Sequence, residues 1–209
     1  TSRLSAISIL SWNIMINYPD SGRLLALEQL VLAKRLPTNR FISSAQNTIA
    51  TSYYFQSEWD SAVFYYELSL QVNRELGNRS GMASSYNNIG NMYYMMGDYP
   101  NAIENYAASM EVELASGNEW GVVSTLQNMA AIQSKLGEFE AALENYVEAL
   151  KVYESLSDSL NTAKVMLNIG RIYLLNEDWE QALNKFEEAL EYCSEIGYEG
   201  GVGTANNNM

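Results

Sequence analysis

The side chains whose type and spacing could do chemistry in this sequence are carboxamides. Asn88, Asn128, Asn168 and Asn208 recur at a step of forty residues, and Thr48 holds the same place one step earlier. A carboxamide carries both donors and an acceptor, so it can pair with the N–H and the C=O of one peptide unit. A row of such amides could hold an extended peptide backbone without reading its side chains. The same amides could instead cap or bridge neighbouring helices, and the sequence leaves both alternatives open.

Further candidate binding residues lie in a second column, directly before each residue of the carboxamide row, and in the next helical turns. The second column contains Asn47, Asn87, Gln127, Leu167 and Asn207. Candidate pocket residues are Tyr54, Asn91, Tyr94 and Arg171, with Lys135 and Lys164 at the edge. Tyrosine and arginine are frequent anchors of binding hot spots, although Tyr54 and Tyr94 could equally pack against an adjacent repeat. Met95 and Met96 are expected to fill gaps in the core.

Residues for catalysis do not come together in this sequence. It contains no histidine and a single cysteine, Cys193, which lies at an apolar helical place and is expected in the core. Glycines 200, 201 and 203 follow a helix and match ordinary links elsewhere, so they do not predict a phosphate-binding loop. The many glutamates are expected on a solvated face, where little would raise the pKa of a carboxyl group. We therefore predict no catalysis, no metal and no cofactor.

The elements that must position the carboxamides repeat at the same step. Gly77 recurs as Gly117 and Gly197, and Tyr99 recurs as the aromatic residues Phe139 and Trp179. Self-similarity at one fixed step predicts stacked units, each of which is too small to bury its own apolar face.

Each unit is predicted to be a helix, a tight turn and a second helix. Small and apolar residues recur at helical spacing over 83–96 and again over 99–115. Between them, Asp98 suits a helix N-cap and Pro100 suits the first turn. Small residues at Gly90 and Ala102 would let the two helices approach closely, and Tyr93 and Tyr106 would fill the space beside them.

This pattern resembles the tetratricopeptide repeat. In the unit that starts at Ala83 the signature places fall on Tyr86, Ile89, Gly90, Tyr93, Ala102, Tyr106 and Ser109, with Tyr99 as the usual aromatic residue. Units starting at 43, 123 and 163 match similarly, whereas HEAT-like repeats of this length lack the pattern. The step of forty departs from the common 34 residues and predicts longer helices and links. The resemblance implies an all-α, right-handed superhelical solenoid whose first helices line a concave face.

The repeat divides the chain into one predicted array over residues 1–209. Its expected units are a divergent first repeat over 3–42, regular repeats over 43–82, 83–122, 123–162 and 163–202, and the start of another over 203–209. The break in that last unit leads us to expect that the natural polypeptide continues.

The first repeat differs from the others. Pro19 and Pro37 lie at expected helix boundaries, and the apolar stretch Ser5–Ile16 is too short to span a bilayer. Apolar residues in excess there predict either a cap folded onto the array or a surface that meets another segment.

Charge separates the two helices of each regular unit. The net charge is −13, yet the first helices predicted over 43–56, 83–96, 123–136 and 163–176 contain no Asp or Glu and three bases, Lys135, Lys164 and Arg171. The acids belong mainly to the second helices. A strongly acidic chain is a poor match for nucleic acid or for an anionic membrane surface. We therefore expect a protein or peptide partner, with no nucleic acid and no membrane insertion.

The amide column is similar to the asparagine ladder of two tetratricopeptide proteins with long units, the Leu-Gly-Asn repeat adaptor and kinesin light chain. That similarity implies a scaffold that binds an extended peptide in its concave groove. The alternative is a sensory or regulatory module of a larger bacterial signalling protein, since such arrays occur there. A cytoplasmic location is expected, with a periplasmic sensor domain as the alternative.

Overall fold

The computed structural model describes residues 2–35 and 40–209, and the described residues form helices joined by short turns. The helices are α1 Ser2–Met15, α2 Pro19–Ala33, α3 Arg40–Phe55, α4 Trp59–Glu75, α5 Arg79–Met96, α6 Tyr99–Ser116, α7 Glu119–Leu136, α8 Phe139–Ser155, α9 Ser159–Leu175, α10 Trp179–Glu195 and α11 Glu199–Asn208. They fall into two compact units, Thr1–Asn118 and Glu119–Met209. The predicted all-α fold of repeated helix-turn-helix hairpins is confirmed.

The first helices begin earlier than the sequence pattern predicted. Starts expected at residues 43, 83, 123 and 163 lie instead at Arg40, Arg79, Glu119 and Ser159. The reason is that capping residues lie in the links themselves: the Asn78 side chain accepts a hydrogen bond from the Gly81 N–H. The long step is therefore taken up largely by longer helices, and α5 and α6 each contain 18 residues. One consequence is that α7 includes an acid, Glu119.

The turn within a hairpin has the predicted chemistry. The Asp98 carboxylate accepts from the Asn101 N–H at 3.3 Å, and Pro100 lies in the first turn of α6. Gly97 has a left-handed φ of 77°, and the Asp98 N–H bonds back to the Tyr93 carbonyl at 2.9 Å. This hydrogen bond is typical of a helix end that requires a positive φ, which glycine adopts without strain.

The two helices of a hairpin touch where the sequence predicted close approach. A Cβ atom on Gly90 would lie 2.7 Å from the Tyr106 ring, and one on Gly170 would lie 2.8 Å from the Phe186 ring. Ala102 is fully buried at the same contact. Tyr106 is buried as predicted, while Tyr93 is only partly buried.

Successive hairpins share a core within each unit. In the first unit, Ile89 and Met92 of α5 pack in one cluster with Ala62, Tyr66 and Leu70 of α4. In the second unit a cluster joins α9, α10 and α11 and contains Phe186, Cys193 and Ala205. Cys193 is buried as expected, and burial raises the pKa of its thiol.

The first hairpin packs differently from the others. Leu4, Ser11 and Met15 are its buried α1 residues, and a Cβ on Gly22 would lie 2.6 Å from the Met15 Cβ. The exposed apolar residues of the hairpin are Ile9, Leu10, Trp12, Ile16, Tyr18, Leu24, Leu27 and Val31. Many apolar side chains of this hairpin therefore remain exposed and are not packed into its core.

The helix boundary predicted at Pro19 coincides with the start of α2, whereas Pro37 lies outside the described residues. Among the described residues, no helix combines the length and hydropathy needed to cross a bilayer.

Candidate binding groove

The first helices of the first unit place their polar and aromatic residues on shared faces. On α3, Ser44, Asn47, Thr51 and Tyr54 follow one another at spacings of three and four, so they lie on one side of the helix. The corresponding face of α5 carries Ser84, Asn88, Asn91 and Met95. These two faces, together with α1, line the cavities described below, and we call this surface the first-unit groove.

Two predicted carboxamides meet at the middle of the first-unit groove. Asn88 Nδ2 donates a hydrogen bond to Asn47 Oδ1 at 3.4 Å. The step of forty would pair Asn47 with Asn87, but the bond between neighbouring helices joins Asn47 to Asn88. With this bond formed, the side-chain oxygen of Asn88 can still accept a hydrogen bond and the side-chain nitrogen of Asn47 can still donate one. Bridging neighbouring helices is thus compatible with binding a peptide group.

An aromatic cavity opens on one side of the amide pair. Its volume is about 460 Å³ and its walls include Trp12, Tyr54, Tyr94 and Met95. The Tyr54 ring lies 5.8 Å from the Trp59 ring, and the Tyr94 ring lies 6.0 Å from the Tyr99 ring. Each tyrosine therefore lines the cavity and also packs on the aromatic residue that begins the next helix.

Among the residues of this cavity that were not predicted as binding residues are Met95 and Trp12. Met95 was expected in the core, but it is 48% exposed and lines the cavity, because it lies one turn beyond Asn91 on the same face. Met96 is also exposed, at 36%, so that expectation was wrong for both methionines. Trp12 was missed because α1 follows its own packing, which the repeat pattern does not describe.

Tyrosine hydroxyls from the second helices fix the next turn of the groove. The Tyr106 hydroxyl donates to Asn91 Oδ1 at 2.6 Å, and the Tyr66 hydroxyl bonds to Thr51 Oγ1 at 2.9 Å one repeat earlier. Burial raises the pKa of both tyrosines. Their phenols are neutral at pH 7, and they hold Asn91 and Thr51 in place at the wall of the aromatic cavity.

A polar cavity of about 310 Å³ opens on the other side of the amide pair. Its described lining consists mainly of serine and asparagine, and Arg40 is the charged residue among these lining residues. Part of the lining is a network in which Asn78 Nδ2 donates to Asn73 Oδ1 and Asn73 Nδ2 donates to Ser85 Oγ. Arg40 was missed by the sequence analysis because α3 was predicted to begin after it. We call this the Arg40 cavity.

The groove helices of the first unit carry no acid. The only charged residues of α1, α3 and α5 are Arg3, Arg40 and Arg79. The second helices α4 and α6 carry six acids: Asp60, Glu67, Glu75, Glu104, Glu111 and Glu113. The separation of charge predicted from the sequence is therefore present in this unit.

The second unit contains the remaining candidate residues. Gln127 and Asn128 are partly buried on α7, and Asn168 is partly buried on α9. Asn208 of α11 donates to the Thr204 carbonyl at 2.7 Å. Leu167, which interrupts the second column, is a core residue at 8% exposure.

The three cations predicted at the groove of the second unit are exposed. Lys135 lies in the last turn of α7, Arg171 lies on α9, and Lys164 Nζ donates to Asn161 Oδ1 at 3.3 Å. Burial raises the pKa of Tyr146, and the nearby charge of Arg171 has a smaller, opposite effect. The remaining candidate carboxamide of the first unit is Asn87, which precedes Asn88 and is partly buried.

The sequence profile of the tetratricopeptide repeat matches residues 41–115 and 121–195. No curated protein shows significant sequence similarity to the chain.

Solved structures show the same fold at low sequence identity. BtubC (BKLC) from P. vanneervenii is 19% identical with a TM-score of 0.81, over 92% of this chain and 80% of that one. A putative kinesin light chain from Podosopora anserina with nearly identical repeats is 13% identical with a TM-score of 0.78, over 94% and 98%. A signal transduction ATPase from Pyrococcus horikoshii with a tetratricopeptide repeat sensor is 15% identical with a TM-score of 0.83, over 96% and 32%.

Proposed function

Because this chain belongs to the tetratricopeptide repeat family, whose members serve as protein-interaction modules, we propose that it binds an extended segment of a partner protein. The observation that carries this proposal is the Asn47–Asn88 amide pair beside the aromatic cavity of the first-unit groove. The amides offer hydrogen bonds to a peptide backbone, and the cavity offers an apolar site for one side chain.

The size and composition of the aromatic cavity support this proposal. Its volume of about 460 Å³ lies within the range of about 300–1,000 Å³ found for ligand sites. Tyrosine, tryptophan and methionine are enriched at interface cores, where they contribute apolar area together with a few oriented polar groups. The absence of acids from α1, α3 and α5 keeps the negative charge of the chain away from this surface.

We propose that the second unit, considered separately, also binds a peptide through its candidate residues. Gln127, Asn128, Asn168 and Asn208 would bind peptide groups, and Lys135, Lys164 and Arg171 would contact acidic or polar side chains. The support is their place on the first helices α7, α9 and α11, together with the partial burial of the first three amides.

The test is selection of a displayed library of random twelve-residue peptides on the intact protein, followed by fluorescence anisotropy with the enriched peptides. Replacing Asn88, Asn128 and Asn168 together by alanine removes one hydrogen-bonding side chain per repeat, at about 1 kcal/mol each. We expect affinity to fall at least fivefold. The matched control replaces two asparagines of second helices, the partly buried Asn105 and the exposed Asn184, by alanine. Equal affinity for the triple variant would refute the amide role, and failure to enrich any peptide would refute peptide binding.

A second candidate function is a sensory module within a larger signalling protein. It is favoured by the fold shared with the repeat sensor of the Pyrococcus ATPase, of which this chain spans 32%. The test is the complete reading frame of the gene. A kinase, ATPase or DNA-binding domain joined to the array would support this function, and a frame that encodes the array alone would exclude it.

A further inference from the structure

The outer face of α2 is an exposed apolar stripe. Leu24, Leu27 and Val31 follow one another at spacings of three and four, so they lie on one side of the helix. Their exposed fractions are 68%, 37% and 55%. The buried residues of α2 lie on the opposite side and are Gly22, Ala26, Gln29 and Ala33. We call Leu24, Leu27 and Val31 the α2 stripe.

Other second helices place polar or charged residues where the α2 stripe has its ends. The second helices begin at a step of forty residues, so their positions correspond directly. On α6 the residues that correspond to Leu24 and Val31 are Glu104 and Glu111, and both are exposed. An apolar stripe at positions where the repeat otherwise has solvated carboxylates indicates a contact surface.

We propose that the α2 stripe is a self-association surface, through which two copies of the chain pair with their α2 helices antiparallel. A two-fold axis near Leu27 brings Leu24 of one copy beside Val31 of the second copy and makes each contact twice. The stripe residues are not among those that line the two described cavities of the first-unit groove. This dimer is therefore independent of the proposed peptide binding.

The charges at the two ends of α2 favour the antiparallel orientation. Asp20 lies in the first turn, Lys34 and Arg35 directly follow the last residue, and all three are exposed. In an antiparallel pair the acidic end of each helix lies beside the basic end of the other. A parallel pair would place like charges together at both ends, which disfavours association.

Two ion pairs within the chain are compatible with this arrangement. The Asp20 carboxylate pairs with Arg23, but the Asp20 side chain is 69% exposed and that of Arg23 only 21%, so the surface presents the acid. Glu28 lies next to the two-fold axis, where it would approach its own copy. Its carboxylate accepts a hydrogen bond from Arg3 of α1 at 3.0 Å, and this cation offsets the like charge.

The size of the α2 stripe predicts a weak dimer. The helix has 15 residues, and one pair of such helices buries less surface than the roughly 1,600 Å² of a standard protein interface. Contacts of this size are typical of transient complexes. We therefore expect dimers at micromolar and higher concentrations of the chain, and monomers at nanomolar concentrations.

The experiment is sedimentation equilibrium of three intact proteins from micromolar to submillimolar concentrations: wild type, L24E/V31E and the control F64E. The double variant gives α2 the residues that α6 carries at these positions, so it should fold, and circular dichroism checks this. Phe64 is 55% exposed at the position of α4 that corresponds to Leu24. We expect wild type and F64E to dimerise equally well, and L24E/V31E at least tenfold more weakly.

A nitroxide spin label at S21C measures the orientation of the two helices. Ser21 is exposed in the first turn of α2, whereas the native thiol of Cys193 is buried. An antiparallel pair places the two labelled Cα atoms roughly 20 Å apart, and a parallel pair roughly 10 Å apart.

Three results would overturn the inference. The first is a wild-type protein that stays monomeric over the whole concentration range. The second is equal dimerisation of wild type and a folded L24E/V31E, or an equal loss in F64E, because either would place the contact outside the α2 stripe. The third is a label distance of roughly 10 Å, which the antiparallel pair excludes.

Discussion

The same place in the repeat carries different chemistry in the two units. In the first unit it is occupied by Thr51 and Asn91, whose side chains bond to the tyrosine hydroxyls of α4 and α6. In the second unit, one and two steps later, it is occupied by Ala131 and Arg171. Alanine offers no hydrogen bond to Tyr146 of α8, and Phe186 of α10 has no hydroxyl.

The difference between the units shows which repeat positions the fold constrains to one kind of residue and which positions can vary. The places between the two helices of a hairpin are small in both units, and Ala62, Ala102, Ala142 and Ala182 are all buried. The groove-facing places are not held by that contact. The first unit therefore presents amides and aromatic rings, and the second presents exposed Lys135, Lys164 and Arg171.

The largest expected effect concerns the helix contact that both units share. In G90A and G170A the new methyl group would lie 2.7 Å and 2.8 Å from the facing aromatic ring. The ring must move, and we expect a loss of about 2 kcal/mol in the free energy of unfolding. The equivalent position in the repeat between them is Ala130, which already carries a methyl group and is fully buried, so A130G should cost about 1 kcal/mol. Urea unfolding measures all three. A neutral G90A would show that the contact is not equally tight in the two units.

The next effect is a loss of stability at alkaline pH in both units. Burial raises the pKa of Tyr66 and Tyr106 in the first unit and of Tyr146 and Tyr153 in the second. The folded state thus favours the neutral phenol. This stabilisation is complete below the ordinary phenol pKa of 10.0 and is lost as the pH rises above it. Urea midpoints should fall from pH 9 to pH 11, and the fall should be smaller in Y106F and in Y146F. If the urea midpoint falls between pH 9 and pH 11 as much in Y106F and Y146F as in the wild type, the buried tyrosines are not the cause of the fall.

A smaller effect should separate the two units directly. Y106F removes the hydroxyl that donates to Asn91 and leaves that amide oxygen without its donor, so we expect a loss of about 1 kcal/mol. Y146F should cost less, because the repeat position equivalent to Asn91 is Ala131, whose side chain cannot form a hydrogen bond. Unfolding in urea at pH 7 gives both values. Equal losses would show that the tyrosine bonds do not distinguish the units.

The smallest effect lies in the turns. Ser57 and Glu177 have left-handed φ values of 59° and 60° at turns where Gly97 and Gly137 have 77° and 78°. S57G and E177G relieve this strain but add freedom to the unfolded chain, so each should stabilise by roughly 0.5 kcal/mol. The reverse changes, G97A and G137A, should destabilise. Thermal unfolding detects both, and a loss in S57G or E177G would show that local hydrogen bonds outweigh the strain.

Much of the hairpin could be predicted because its signals are local. Asp98 as a cap, Pro100 in the first turn of the next helix, and Gly90 as a point of close helix approach depend on spacings of a few residues that recur along the chain. The residues at the ends of the groove could not be found in this way. Arg40 precedes the predicted start of α3, and Trp12 reaches the aromatic cavity because Leu4, Ser11 and Met15 determine how α1 packs.

The sequence alone determined the all-α repeat, the faces of its helices and, in the first unit, the separation of acids from the first helices, because a periodic pattern fixes which side chains share a face. It also predicted carboxamides on the first helices, of which Asn47, Asn88 and Asn91 line cavities of the first unit. Only the tertiary structure decided that Asn47 meets Asn88 rather than Asn87. The offset and rotation of one helix against the next depend on how side chains such as Ile89 and Met92 fill the core between hairpins. The forty-residue repeat step does not determine how these side chains pack, and therefore does not determine the offset between the helices.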